Sequence, residues 1–418
     1  MGKHKLLIYS DCYIYGGSEK LISFIIKNKI IQEHFHITFV YRNHNIYQEA
    51  INKEYSAEER KNILFPVAIA SNGTLFYKIE LLNIPTTIKK MIKLPFYVID
   101  KIGIFFIYNF LIQIYILLKL SPDIIHINNG GYPGASSCST MVFASKLIKK
   151  TPVVYQINNT TFKTKSPIQK YFDRYISNNA NYFITASKHA KEKLVNYRNF
   201  DADKIIQVPN TILEEPVTIS REDLLKKLQI KQTDFVLCNI GFLSKRKGQI
   251  YLLEALNLIR IQNPIVFEKI SLLLIGNGEE ETRLKQYADS FNLNKQVHFL
   301  GYQSQSTNYI NSCDLFVFTS IAGEDMPLVI LSAMNLGKAI LATDFAGIRE
   351  ELEDNQSGII IPADTDYLAQ NLAYKIIELY YFRRNNLGDN AKERYQQLFS
   401  SSIYGERILD IYNLILHK

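Results

Sequence analysis

Residues 319–351 read TSIAGEDMPLVILSAMNLGKAILATDFAGIREE, and this stretch predicts two consecutive strand–loop–helix units. An apolar run at 314–318 precedes it and is typical of a buried strand. Pro327 suits the first position of a helix, because its ring presets φ and the first N–H group needs no partner. Three apolar residues then recur at helical spacing and predict the buried face of that helix: Leu328, Leu331 and Met334.

The second unit follows directly on the first. Gly337 ends the predicted helix, residues 338–343 form the next buried strand, and residues 344–347 are a loop that opens a helix at Ile348. Two such loops lie side by side at the carboxyl ends of parallel strands. Their free helix N–H groups suit phosphate, so the stretch predicts a phosphate-binding crevice.

Glycine-containing loops follow strands at two earlier places. A strand at 5–10 leads into Gly16-Gly17 and a helix, and a strand at 235–240 leads into a loop that ends in Lys247-Gly248. Glycine lets the backbone come close to a ligand, and lysine adds a positive charge. The alternatives are an ordinary tight turn for the first loop and a surface basic cluster for the second.

In order and spacing, these motifs resemble the family 4 retaining glycosyltransferases, also described as glycosyl transferases group 1. The resemblance implies an α/β chain of GT-B fold, with two doubly wound Rossmann-like domains facing across a cleft. It implies an N-terminal acceptor-side domain at 1–212 and a C-terminal nucleotide-sugar-binding domain at 213–400. Residues 401–418 would be a helix crossing back to the first domain.

The same resemblance implies the site residues. Glu324 would hold donor-sugar hydroxyls and orient C1, and Asn158 would lie beside the donor sugar as the second catalytic residue. No metal and no cofactor is expected. The donor-binding residues it implies are Gly16, Gly17, Gly241, Arg246, Lys247, His298, Phe299, Met326, Pro327, Leu328 and Ser332.

Three positions depart from the family pattern. Asn158 stands where the family has His, Phe242 where it has Arg, and Ser332 where it has a second Glu. Arg246 or Lys245 could replace the missing phosphate cation. The departures leave two alternatives to an active transferase: a catalytically impaired partner subunit or sugar-binding module, and a nucleotide-sugar epimerase of the same fold.

Composition limits the compartment and the partners. The four cysteines are scattered without metal-ligand spacing, which favours a reducing, cytoplasmic setting. Residues 1–210 carry 27 basic and 14 acidic side chains, a net +13, and the remainder nets −5. The basic half suits an anionic membrane face or a phosphate-bearing substrate. Nucleic acid is disfavoured, because no basic helix with interleaved aromatic residues occurs.

Residues 103–118, GIFFIYNFLIQIYILL, resemble a membrane span in composition only. The run is shorter than the roughly 20 residues that a bilayer requires, and Asn109 and Gln113 interrupt it. A buried strand follows at 122–127, so we expect a crossover helix. The basic patch at 89–93 is either a solvated helix face or a docking surface for a membrane or lipid-linked acceptor.

The expected reaction moves a sugar from a nucleotide-diphosphate-sugar to a hydroxyl with retained configuration. A UDP-sugar is favoured as donor, and a GDP-sugar is next. The expected acceptor is a saccharide or a lipid-linked molecule in bacterial-type polysaccharide or lipopolysaccharide assembly. The basic half would allow peripheral attachment to the inner membrane face.

Overall fold

The computed structural model describes residues 2–13, 15–164, 166–382 and 386–417. The chain divides into two compact units. Unit 1 comprises Met1–Val208 and Gly405–Lys418, and unit 2 comprises Pro209–Tyr404. Each unit is a parallel sheet covered by helices.

Unit 1 alternates strands and helices along the chain. Its strands are β1 (His4–Ser10), β2 (Phe35–Arg42), β3 (Leu64–Val67), β4 (Ile124–Asn129), β5 (Val153–Ile157), β6 (Tyr182–Thr185) and β7 (Ile205–Gln207). Its helices are α1 (Gly17–Lys27), α2 (Lys29–His34), α3 (Asn45–Glu54), α4 (Ala57–Ile63), α5 (Asn72–Glu80), α6 (Thr86–Lys101), α7 (Ile104–Leu120), α8 (Ser136–Leu147), α9 (Pro167–Asn179) and α10 (Lys188–Arg198).

Unit 2 has the same alternation. Its strands are β8 (Phe235–Ile240), β9 (Ile270–Ile275), β10 (Val297–Phe299), β11 (Leu315–Phe318), β12 (Ala339–Asp344) and β13 (Ile359–Pro362). Its helices are α11 (Arg221–Lys227), α12 (Gln249–Gln262), α13 (Pro264–Phe267), α14 (Glu281–Ser290), α15 (Ser306–Ser312), α16 (Leu328–Asn335), α17 (Ile348–Glu351), α18 (Leu368–Tyr381) and α19 (Asn386–Leu398). The last helix, α20 (Ser401–Leu416), begins in unit 2 and ends in unit 1.

Both sheets reverse their strand order beside their first strand. The order in unit 1 is β3-β2-β1-β4-β5-β6-β7, and in unit 2 it is β10-β9-β8-β11-β12-β13. All of the paired strands run parallel. Two crevices follow from this, because loops leaving the carboxyl ends of strands diverge at such a switch point. They lie between β1 and β4 and between β8 and β11, and the predicted doubly wound α/β class is confirmed.

The strand sequences explain why both faces of each sheet are covered. β9, Ile270–Ile275, is buried along its whole length, and β8 is buried at all but its last residue. Continuous apolar runs of this kind are typical of parallel strands with helices on both faces. Such burial fixes each strand end in position, which in turn fixes the loops that follow.

Several predicted boundaries differ from the observed ones. Pro327 is the N-cap of α16 and the helix proper begins at Leu328. Leu331 and Met334 are buried as predicted, whereas Leu328 is only half-buried. The charged segment 212–232 is predicted from its composition to be a linker helix between the domains, but the helix is limited to α11. Ser220 caps the first turn of α11 through the Asp223 N–H group, and residues 208–219 have no regular secondary structure.

The apolar run at 103–118 forms the crossover helix α7, as predicted, but its polar residues point inward. The Asn109 amide bonds to both the N–H and the C=O of Ala70, each at 2.9 Å. Gln113 Nε2 donates to Tyr9 Oη at 3.0 Å and to the Ser137 carbonyl at 2.8 Å. Within the described residues, no single helix is long and apolar enough to cross a bilayer; α6 and α7, bent by 55° at their junction, reach that length and composition only together.

Substitution of Gly248 tests how closely the loops after β8 and β11 must approach each other. The φ of Gly248 is +66°, and a Cβ there would overlap the backbone carbonyl of Thr319. We expect Gly248→Ala to lower the free energy of unfolding by about 2 kcal/mol or more, because both left-handed strain and the overlap must be relieved. Thermal melting of the variant measures the loss.

Gly130→Ala is the matched control, because open space surrounds its Cβ position. It should melt within a degree or two of the parent chain. Equal melting temperatures for the two variants would contradict the close approach at Gly248.

Candidate functional site

In unit 2, the loop after β8 is joined to the loop after β11. Residues 245–247 form a single 3-10 turn. Thr319 Oγ1 donates to the Lys247 carbonyl at 2.8 Å, and the Ile321 N–H donates to the Arg246 carbonyl at 2.8 Å. These bonds hold the basic turn at the switch point, against the segment that carries Glu324.

Two cations converge there on one carboxylate oxygen. Glu324 Oε1 is ion-paired with both Arg246 Nη1 and Lys247 Nζ. The side chains of Lys247 and Glu324 are 13% and 14% exposed, whereas that of Arg246 is 42% exposed. Burial lowers the pKa of Lys247, and the Glu324 carboxylate partly opposes that shift. Gly241 lies against the lysine stem, where a Cβ would stand 3.6 Å from Lys247 Cε.

The segment after Glu324 is fixed by residues from outside its own loop. Asn210 Nδ2 donates to the Met326 carbonyl at 2.8 Å, and the Gly347 N–H donates to the Asp325 carbonyl at 3.1 Å. Asn210 therefore supports the site. The Pro209-Asn210 pair resembles the family's hinge after the first domain, and that resemblance did not predict this contact.

A buried carboxyl lies behind Glu324. Glu351 is fully buried at the end of α17, and in the part of the chain that the structure describes neither of its carboxyl oxygens has a hydrogen-bond partner. Burial raises the pKa of Glu351 well above its usual value, and the charges of Asp325 and Glu324 raise it further. The sequence analysis missed this group, because Glu351 resembles an exposed position in a charged first turn.

The raised pKa of Glu351 makes a prediction about stability and pH. Its pKa in the unfolded chain is near 4.5, so the folded protein binds the additional proton above that pH. The group therefore costs stability as pH rises from about 4.5 toward its folded pKa, at up to about 1.4 kcal/mol per pH unit. Glu351→Gln removes this cost, so its melting temperature should rise relative to the parent chain at pH 7 and approach it near pH 4.

Glu279→Gln, at an exposed carboxyl of the same unit, is the control and should give a pH-independent difference. A constant offset between Glu351→Gln and the parent chain across pH 4–8 would mean that Glu351 is ionised in the folded protein.

Of the other residues predicted for the donor site in unit 2, four lie at or beside the start of α16 or on it, and two lie on β10. Met326, Pro327 and Leu328 lie at the start of α16, next to Glu324 in the chain. Ser332 lies on the same helix, where its hydroxyl donates to the Leu328 carbonyl at 3.0 Å.

His298 and Phe299 belong to a different element of unit 2. They are on the edge strand β10, which β9 separates from β8. Burial lowers the pKa of His298, and its Nε2 has no hydrogen-bond partner among the described residues. Phe299 packs against the core of the unit. β10 lies two strands from β8 in the sheet, and the assignment of these two residues to the donor site stays a prediction.

In unit 1, the Gly16-Gly17 loop leads into α1 after β1. Gly16 is the N-cap of α1, and open space surrounds the position that a Cβ would take. The buried Glu19 carboxylate accepts from Ser10 Oγ at 3.1 Å and from the Gly16 N–H at 3.4 Å. Burial raises the pKa of Glu19. Glu19 therefore orients the loop from inside.

Asn158 belongs to a chain of buried polar groups at the ends of β4 and β5. Its Nδ2 donates to Asn128 Oδ1 at 2.7 Å and to the Asn129 carbonyl at 3.2 Å, and its Oδ1 accepts from Gln156 at 2.8 Å. These contacts use both amide hydrogens. An acceptor lone pair on Oδ1 remains, so Asn158 can receive a hydrogen bond from a ligand hydroxyl.

The polar chain continues to α20 through His126. His126 Nε2 lies 2.9 Å from Gln156 Oε1, and Nδ1 lies 2.8 Å from Tyr412 Oη. An amide oxygen only accepts, so Nε2 carries the proton and Nδ1 accepts from the tyrosine. Burial lowers the pKa of His126 to about 4, which keeps the ring neutral at pH 7. The sequence analysis did not identify His126 as a supporting residue. A histidine within a strand predicted to be buried was the signal that could have indicated it.

Among the described residues, no group of three or more His, Cys, Asp or Glu side chains is arranged to hold a metal ion. The four cysteines are free thiols. The polar chemistry of the site consists of the two cations, Glu324 and the loop N–H groups.

Known proteins resemble this chain in both halves. The profile of the family described as Glycosyl transferases group 1 matches residues 220–394, and that of Glycosyltransferase Family 4 matches residues 83–214. An uncharacterized glycosyltransferase of Methanocaldococcus jannaschii is 28% identical over 62% of the chain and 67% of its own length. The Escherichia coli enzyme UDP-Gal:alpha-D-GlcNAc-diphosphoundecaprenol alpha-1,3-galactosyltransferase is 26% identical over 60% of the chain and 65% of its own length.

A solved structure extends the similarity to the whole fold. The HepE protein of Anabaena, crystallised in complex with UDP, superposes with a TM-score of 0.70 over 98% of this chain and 99% of its own, at 19% identity. The two curated relatives are matched over about two thirds of their length. The similarity in structure supports the GT-B architecture that the two sheets display.

Proposed function

Since the chain belongs to the family 4 glycosyltransferases and has the GT-B fold, we propose that it moves a sugar from a nucleotide-diphosphate-sugar to a hydroxyl of a saccharide or lipid-linked acceptor, with retained configuration. A UDP-sugar is the first choice of donor, and a GDP-sugar is the second. The observation that carries this proposal is the convergence of Arg246 and Lys247 on Glu324 at the switch point of unit 2.

The reaction breaks the bond between C1 of the sugar and the β-phosphate oxygen, and negative charge grows on the departing diphosphate. Groups that are fixed in advance where charge develops contribute most to such a step. Lys247 is largely buried, and its carbonyl accepts a hydrogen bond from the Thr319 hydroxyl. It is therefore suited to meet the diphosphate with little rearrangement.

Arg246 supplies the second positive charge in this proposal. The family position for that charge is occupied by Phe242, which is 52% exposed. Arg246 reaches the same Glu324 oxygen as Lys247 and also donates to the Gly323 carbonyl at 3.1 Å. The guanidinium is thus near the place where the phosphates would lie, and its half-exposed side chain is free to turn toward them.

Glu324 changes partners when the donor binds. Without donor, its carboxylate is ion-paired with both cations and leaves a net positive charge of one. A diphosphate competes for the same cations, and the released carboxylate can accept hydrogen bonds from sugar hydroxyls. Charge-assisted bonds are about twice as strong as neutral ones, so Glu324 would contribute strongly to holding and orienting the sugar.

Ser332 and Asn158 are weaker contributors than the family residues they replace. Ser332 is neutral, and its hydroxyl donates to its own helix, so it can offer a ribose hydroxyl only an acceptor lone pair. Asn158 can likewise accept a hydrogen bond but cannot carry a proton near neutral pH. In unit 1 the loop at Gly16 would offer open space to the donor or acceptor.

The acceptor is proposed to be lipid-linked and to lie at the inner membrane face. The basic charge of residues 1–210, a net +13, suits anionic headgroups. The Escherichia coli relative named above acts on a diphosphoundecaprenol-linked sugar by its name. Free thiols fit the reducing side of such a membrane. Polysaccharide or lipopolysaccharide assembly is the pathway class that this acceptor suggests.

Nucleotide binding tests the site. In a thermal-shift panel with UDP, GDP, ADP and their sugar conjugates, one base class should raise the melting temperature by several degrees, because ligand at 100 times Kd adds about 2.7 kcal/mol. Arg246→Met and Lys247→Met should each reduce that shift. Lys245→Met, on the same turn but outside the ion pairs with Glu324 among the described residues, should retain it.

The transfer assay separates the three candidate functions. Sugar transfer with release of the nucleoside diphosphate supports the proposal, and Glu324→Gln should reduce it at least about a hundredfold if the carboxylate orients the sugar. Glu268→Gln, at an exposed carboxyl before β9, should retain full activity. Nucleotide binding without turnover would favour the impaired subunit, and interconversion of the free donor would favour the epimerase.

Metal removal gives a further prediction. If Arg246, Lys247 and backbone N–H groups stabilise the leaving diphosphate, transfer should continue in excess EDTA at close to its original rate. The rate is compared with that in added Mg²⁺ or Mn²⁺. Loss of activity in EDTA, restored by one of these ions, would mean that the cations of the loop do not suffice.

A further inference from the structure

Helix α7 directs two amide side chains into the protein and a stripe of apolar side chains toward solvent, unlike an ordinary surface helix. Its buried residues are Asn109, Gln113, Ile116 and Leu117. A stripe at spacings of three and four residues points outward and is entirely apolar or aromatic, with exposures of 43–60%: Ile104, Ile107, Tyr108, Leu111, Tyr115 and Leu118. A surface helix normally presents charged or polar residues on that face.

The apolar face continues onto the neighbouring helix. α6 contains no buried residue. One stripe of its surface is apolar throughout: Ile88, Met91, Ile92, Val98 and, just beyond the helix end, Ile102, with exposures of 39–68%. α6 contacts α7 and is bent from it by 55° at their junction. Ile102 and Ile104 flank this junction and are both exposed, so the two stripes meet there. Exposed patches of this extent mark interaction sites in folded proteins.

The surface also extends toward α9. Phe106 of α7 contacts Phe172 of α9, with ring centroids 5.7 Å apart. On α9, Ile168 and Tyr171 are 71% and 68% exposed. We call the exposed apolar residues of α6, α7 and α9 the apolar face of unit 1.

We propose that the apolar face of unit 1 inserts into the interfacial layer of a phospholipid bilayer that contains anionic lipid, with α6 and α7 lying in the membrane plane. Charge is the first argument for a bilayer. Residues 86–120 carry five lysines and one acidic residue, Asp100. Lys89 and Lys93 are ion-paired with Glu80 of α5, so the excess positive charge comes from the other three lysines, Lys90, Lys101 and Lys119. Positive charge beside an apolar face matches anionic headgroups above acyl chains.

The second argument is the pairing of lysine with tyrosine along the edges. Lys101 Nζ lies 5.3 Å from the Tyr97 ring centroid, and Lys119 Nζ lies 5.8 Å from that of Tyr115. Both side-chain types have an apolar body and a polar end, and they favour the boundary between headgroups and hydrocarbon. Such pairs would mark the depth to which the face enters the bilayer.

The helices are positioned for a surface attachment and not for a span. α7 has 17 residues, about 25 Å at 1.5 Å per residue, which is less than the roughly 30 Å of hydrocarbon. Asn109 and Gln113 also tie it to the protein interior along one whole side. Only its outer stripe is available to lipid.

A second copy of the chain is a poorer occupant. A twofold interface would bring the same surface of each copy together. The lysines of both copies would then lie at one interface. Like charges at an interface oppose association. An anionic bilayer turns the same lysines into an attraction.

The absence of tryptophan from the chain permits a direct test. Leu111→Trp places a single reporter on the apolar face, and Tyr374→Trp, at a 67% exposed site in unit 2, is its control. With vesicles of phosphatidylcholine and phosphatidylglycerol, the Leu111→Trp emission should shift to shorter wavelength and be quenched by brominated acyl chains. The control emission should not change, and vesicles of phosphatidylcholine alone should bind at least about tenfold more weakly.

Flotation with the same vesicles measures the contribution of the stripe. Ile107→Asn combined with Leu111→Asn should weaken partitioning at least about tenfold, whereas Ile261→Asn with Ile265→Asn, at exposed apolar sites of unit 2, should not. Both pairs replace exposed side chains, so circular dichroism should show intact folding. No binding to anionic vesicles, or equal binding by both pairs, would overturn the proposal.

Self-association would also overturn it. If the Leu111→Trp emission shifts with protein concentration in the absence of lipid, and sedimentation shows a dimer that the Ile107→Asn, Leu111→Asn pair abolishes, the occupant is a second copy. The measurements contain no donor and no acceptor, so their outcome is independent of the proposed transfer reaction.

Discussion

The ion pairs of Arg246 and Lys247 with Glu324 are the contact on which the arrangement of unit 2 depends. A lysine that is 13% exposed cannot remain charged in such a place without a partner, because desolvation costs several kcal/mol. The partner must therefore come from a neighbouring loop. β8 and β11 are adjacent in the sheet, so the loops that follow them can provide the cation and the carboxylate separately.

The backbone around these charges is organised to keep them together. Gly248 allows one loop to approach the Thr319 carbonyl, and hydrogen bonds from Thr319 and Ile321 fix the two loops in register. Asn210 holds the Met326 carbonyl on the far side of Glu324. The cations and the carboxylate are thus placed in advance, and a diphosphate that displaces Glu324 exchanges one neutralising anion for another.

The buried carboxyl of Glu351 makes the surroundings of Glu324 more negative if it ionises. Its raised pKa keeps Glu351 protonated over a wider pH range, so Glu351 does not add a second negative charge beside Arg246 and Lys247. In unit 1, burial also keeps a titratable group uncharged. Hydrogen bonds run from Tyr412 to His126, from His126 to Gln156 and from Gln156 to Asn158. A neutral ring with a fixed tautomer gives the terminal amide one orientation.

The sequence by itself determined the alternation of strands and helices, the glycine loops and the identity of the charged residues at the ends of β8 and β11. These signals are local: a strand is recognised from its apolar run, and a loop from the glycine that permits it. The family resemblance added the pairing of Lys247 with Glu324 as parts of one site. The short extent of α11 and the N-cap position of Pro327 were missed, because capping contacts decide such boundaries.

Only the tertiary structure decided which way the faces of α7 point and what surrounds Glu351 and His298. An apolar helix with two amides gives the same composition whether the amides face solvent or the interior, and the partners of Asn109 and Gln113 are from 24 to 104 residues away. The environment of Glu351 likewise comes from Asp325 and Glu324 on another strand's loop. Strand order also places His298 on the edge strand of its sheet, which its sequence pattern did not indicate. Contacts between distant segments set burial and charge, and a linear pattern carries no information about them.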